Sequence, residues 1–175
     1  FGTHAWALQA SNGGFVQAIR PFAAPLVPGD KVSFVFENGG IDGGRSNSSI
    51  GVAFQNRFDQ RLTEILFNGG DTNYVINGLE WRNTGIPWGT NAKTCTLEIL
   101  TELTYRFTIN GQAFEGELAE KSELLISRIR FWNWNAGTGF ERRFYIGDLS
   151  ITGAPLPVLT YSAEVAVTRA PSDRR

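Results

Sequence analysis

At 175 residues, the chain has the length of a single domain able to bury about 70% of its unfolded surface, so it needs neither a metal nor a disulfide to fold. Sixteen Lys and Arg against seventeen Asp and Glu leave a formal net charge of -1, which gives no basic footprint for nucleic acid or an anionic membrane. No apolar run approaches the ~20 residues of a membrane span.

In chain order, the dominant signal is apolar alternation with a period of two, the mark of half-buried strands. In "KVSFVFEN" it places Val32, Phe34 and Phe36 on one face, and in "SIGVAFQN" it does the same for Ile50, Val52 and Phe54. "TCTLEIL" sets Cys95 with Leu97 and Ile99, so the only cysteine reads as a small core residue, not a reactive thiol. "LTYRFTIN" groups Leu103, Tyr105, Phe107 and Ile109 and runs into Asn110-Gly111, the residues that best tolerate the two positive φ angles of a tight hairpin. The return strand "QAFEGEL" turns Phe114 and Leu118 inward. "ELAEKSELL", 117–125, is the one helix candidate, with Glu117 and Lys121 at i,i+4. "FYIGDLSIT" reads as a further strand with a bulge or close packing at Gly147.

Between these runs stand "SNGG", "VPGD", "NGGIDGG", "NGGD", "ING" and "NAGTG", all turn chemistry. Ten or so short strands without a βαβ rhythm predict an antiparallel sandwich or barrel. We expect the sandwich over residues 1–152, then a Pro-containing linker, "GAPLP", and a detached strand at 158–168 within a tail ending at 175. That strand needs an edge to pair with: its own, a following domain's or that of a neighbouring molecule. The absence of Met, even at position 1, fits a processed mature protein or part of a longer precursor.

"FYIGDLSIT" resembles the closing strand of jelly-roll carbohydrate-binding modules from secreted bacterial polysaccharide-degrading enzymes. The run from "WALQASNGG" through "IGVAFQN" and "NGGDTNYVIN" to "RFWNWNAGTG" resembles secreted bacterial β-sandwich domains of the concanavalin A-like lectin/glucanase type. The resemblance implies an all-β antiparallel jelly-roll sandwich, a secreted, extracellular setting, and a domain that binds glycans, hydrolyses them or assembles other domains. It also implies a structural calcium ion with Asp148 on the closing strand; Asp42 and Asp71, in Gly-rich loops, add hard oxygens of the kind calcium takes.

Retaining glucanases of this fold carry a Glu-x-Asp cluster on one strand, and no Glu-x-Asp occurs here. Glu115 and Glu117 straddle Gly116 beside a hairpin and read as a solvated face, and the single histidine, His4, sits near the start of the chain. The expectation is therefore a non-enzyme. For binding, alternation through "ISRIRFWNWN" puts Ile129 and Phe131 on the core side and Arg128, Arg130, Trp132 and Trp134 on the other. Indole stacks on the C–H face of a sugar ring, so Arg130, Trp132 and Trp134 form a candidate glycan platform, with Trp81 and Trp88 at its rim. The same stripe equally fits a subunit contact or a second packing layer. A carbohydrate-binding or accessory module leads. A self-assembling extracellular subunit of fibre or surface-layer type, joined through 158–168, comes second, and a glycoside hydrolase or lyase without the usual motif third.

Overall fold

A computed structural model describes residues 5–44 and 46–153, and it is all-β, with no α-helix among the described residues. The strands are β1 Ala5–Leu8, β2 Phe15–Pro21, β3 Lys31–Asn38, β4 Ser49–Gln55, β5 Arg61–Asn68 and β6 Asn73–Asn77. They continue as β7 Trp81–Pro87, β8 Gly89–Ile99, β9 Thr104–Ile109, β10 Gln112–Glu117, β11 Arg128–Trp134 and β12 Phe144–Thr152. Two six-stranded antiparallel sheets result. The first runs β1-β12-β3-β8-β9-β10 and the second β2-β11-β4-β5-β6-β7.

The core lies between the sheets and is built from the alternating residues. Val32, Phe34 and Phe36, Cys95, Leu97 and Ile99, and Tyr105, Phe107 and Ile109 meet Ile50, Val52 and Phe54 with Ile129 and Phe131 from the facing sheet. Aromatic edges interlock across the gap, with Phe34 on Phe131 at 5.9 Å and Phe36 on Tyr74 at 5.2 Å, both near perpendicular. The β9–β10 turn forms as expected, with Asn110 at φ 48° and Gly111 at φ 83°.

Two local expectations are corrected. Residues 117–125 do not coil, because neighbours take up their backbone: Leu118 N–H donates to Leu103, Ala119 N–H to Leu62, and the Glu123 carbonyl accepts from Asn56. The segment crosses from the edge of one sheet to the interior of the other, and an extended path covers that span while burying Leu118 and Ala119. Leu103 is exposed in a turn held by the Thr101 and Thr104 hydroxyls, so the inward set of β9 begins at Tyr105. In β12 the bulge expected at Gly147 does form, over Gly147 and Asp148, and it exchanges the two faces: Phe144 and Ile146 point inward before it and Ile151 after it. The predicted 158–168 strand and His4 lie outside the described residues.

Candidate binding face

β11 lies between β2 and β4, and its register fixes what each side chain faces. Ile129 and Phe131 stand opposite Phe54 and Val52 in the core, while Arg128, Arg130, Trp132 and Trp134 share the outer face of the second sheet. The pairing extends that face to Gly51, Ala53 and Gln55 of β4, Glu64 and Leu66 of β5, Val75 and Asn77 of β6, and Trp81 and Asn83 of β7.

Both indoles turn away from the main core, as alternation predicts, yet Trp132 is not an open platform. It is 7% exposed and forms a second apolar cluster with Ala53, Leu66 and Val75, with Trp134 packed partly buried against it. Its ring lies over Gly51, where a Cβ would stand 2.5 Å from the indole Cζ2. Its Nε1–H donates to Ser49 Oγ at 3.1 Å. Trp132 is therefore a packing residue, one of the three readings its spacing allowed. Trp88 is not on this face either: it follows β7 and stacks against Phe67 of the core at 5.6 Å.

Trp81 remains open, 52% exposed on the edge strand and in register with Asn77. Beside it lies a polar network absent from the sequence reading. Glu64 is buried and its Oε1 accepts from the Arg61 guanidinium and, at 2.8 Å, from Asn77 Nδ2. The sequence signal was one carboxylate in the otherwise apolar run "ILF" of β5; its partners come from strand pairing. Arg128 is occupied by the Asp59 carboxylate and the Arg57 carbonyl. Arg130 is half-buried between the Phe15 ring at 5.1 Å and the Trp132 ring at 5.7 Å. Burial pulls its pKa down, opposed by the charges of Glu64 and Asp59. Together the face offers an exposed indole for stacking, with an amide, a carboxylate and a guanidinium next to it for hydroxyl groups.

The remaining candidates lie apart. Asp42 is paired with Arg142 at 2.6 Å, Asp71 accepts from Asn68 at 3.0 Å, and Asp148 sits exposed on the β12 bulge at φ 53°. No three His, Cys, Asp or Glu side chains gather as a metal site among the described residues. Glu115 is held by Arg106 at 2.6 Å on the outer strand of the other sheet. A cavity of about 260 Å³ opens between β7 and β10, lined by Glu80, Arg82, Tyr105, Phe114, Glu115 and Glu117. Arg82, which lies over Phe114, is inward-facing, so this cleft opens on the opposite side of β7 from Trp81.

No protein-family model matches this sequence, and no curated protein matches it. Solved structures do. A sialidase superposes on 85% of this chain with a TM-score of 0.64 and 13% identity, and the chain spans only 15% of that protein's length. A tetrameric galectin from the ball sponge Cinachyrella sp. matches with a TM-score of 0.56 and 12% identity, over 79% of this chain and 99% of the galectin. Xenopus laevis galectin-Ib matches with a TM-score of 0.52 and 13% identity, over 78% of this chain and 99% of its own. At such identities the likeness is one of fold: the chain has the antiparallel jelly-roll β-sandwich fold.

Proposed function

We propose that this chain is a non-catalytic carbohydrate-binding module that holds a glycan on the outer face of its second sheet. The observation that carries the reading is Trp81, exposed beside the linked side chains of Asn77, Glu64 and Arg61. A pyranose ring stacked on the indole puts its hydroxyls within reach of groups already oriented by one another, so little side-chain freedom is lost on binding. The shared fold with two galectins supports the same reading. Trp81 stands at the exposed edge of the sheet, which suits a polymer that extends past the contact. In keeping with the bacterial modules its sequence resembles, we place the protein outside the cell.

Retardation in polysaccharide gels and a glycan array test the idea. Trp81→Ala is expected to weaken binding at least tenfold, equivalent to about 1.4 kcal/mol. Glu64→Gln, which keeps the shape and loses the charge, is expected to weaken it as well. Equal binding by wild type and Trp81→Ala would reject this face.

A further inference from the structure

Strand pairing aligns one row of side chains straight across the outer face: Ile19, Arg130, Ala53, Glu64, Asn77 and Trp81, one from each strand. From Trp81 to Arg130 the row crosses four interstrand steps, about 19 Å. The two ends differ in chemistry. At one is the open indole. At the other is a guanidinium that makes two ring contacts and, among the described residues, no hydrogen bond or ion pair; its Nε is covered and has no acceptor.

The other guanidinium groups on this face are already matched, Arg61 with Glu64 and Arg128 with Asp59. Glu64, two strands from Arg130, accepts its hydrogen bonds from Arg61 and Asn77, so it and Asp59 act on Arg130 only as charges at a distance and leave its donors free of a protein acceptor among the described residues. Phe15 and Trp132 hold the guanidinium between their rings and keep water from part of it, which strengthens a charge-assisted bond to an arriving anion. The planar fork of donors matches a carboxylate or a sulfate ester two bonds at a time.

We propose that the row is an extended subsite for an acidic glycan, in which an anionic substituent of the ligand seats on Arg130 while another ring of the same chain stacks on Trp81. The span excludes a monosaccharide from making both contacts and selects an oligosaccharide lying across the strands. This inference rests on the carbohydrate-binding reading above.

Calorimetric titration with matched ligands tests it. The probes are an oligogalacturonide and its carboxyl-reduced counterpart, and a sulfated galactan oligosaccharide and its desulfated form, so that the two pairs separate carboxylate from sulfate recognition. Wild type is expected to bind at least one acidic probe tenfold or more tighter than its neutral partner, with a preference that shrinks as salt rises. Arg130→Gln is expected to abolish the preference while keeping the affinity for the neutral probe, and Arg130→Lys to retain part of it. Trp81→Ala weakens acidic and neutral probes alike. Circular dichroism of each variant confirms the fold. An undiminished acidic preference in Arg130→Gln overturns the inference. So does neutral binding that depends on Trp81 with no acidic preference in wild type, and this leaves the carbohydrate reading standing. Failure of wild type to bind any of the four overturns both.

Discussion

Gly51→Ala is the smallest substitution that tests how the outer face is built. The added methyl would stand 2.5 Å from Cζ2 of the Trp132 indole and 2.7 Å from the Ile65 carbonyl oxygen, both well inside van der Waals contact. The strand must shift or the indole must lift from Ala53, Leu66 and Val75, the cluster it seals. Overpacking of this kind costs about 1–3 kcal/mol. For a domain of this length, a cost near 2 kcal/mol lowers the Tm by about 4–8 °C. Trp132→Ala alone should cost about 3–5 kcal/mol, since it empties the cluster. In the Trp132→Ala background the clash with the indole is gone and that with the Ile65 carbonyl remains, so the Gly51→Ala penalty should fall by about 1–2 kcal/mol. Urea denaturation of wild type, both single variants and the double variant measures that coupling directly. Additive costs would refute the claim that the glycine exists to seat the indole.

Asn110→Ala should cost about 1–2 kcal/mol in the same assay, because Asn110 holds φ 48° and its Oδ1 accepts from the Thr94 N–H at 2.9 Å; an unchanged midpoint would exclude a role for that turn. Cys95 is fully buried and desolvation pushes its thiol pKa up, so Ellman's reagent should modify it only on unfolding; rapid labelling of native protein would contradict the packing. The Tyr74 phenol donates to Asn38 inside the core, and burial, then the charge of Glu37, raises its pKa above the usual phenol value. A raised folded-state pKa stabilises below the unfolded value near 10 and loses that contribution as pH climbs beyond it. Stability should therefore fall from pH 9 to 11, and Tyr74→Phe should flatten the decline; an equally steep decline in that variant would exclude Tyr74 as its source.

Much of the architecture was legible in the sequence because a strand's side chains alternate by local backbone geometry alone. That rule assigns Val32, Phe34, Phe36, Phe107 and Ile129 to the core and both β11 indoles to the opposite face, and Asn110-Gly111 names its own turn. The bulge at Gly147 and Asp148 was legible too, because the apolar phase shifts from Phe144 and Ile146 to Leu149 and Ile151 across that glycine. Local geometry cannot say what lies against a face. Trp132 is covered because β4 happens to present a glycine at the paired position, and residues 117–125 stay extended because Leu62, Leu103 and Asn56 claim their backbone. The row from Trp81 to Arg130 likewise has no signature along the chain, since it is completed only by the pairing of Ala53 in β4 with Arg130 in the distant β11. Hydrophobic periodicity determined which residues face inward; only the order and register of the paired strands decided which outward residues became neighbours, because β11 pairs with β2 and β4, segments far from it in the chain.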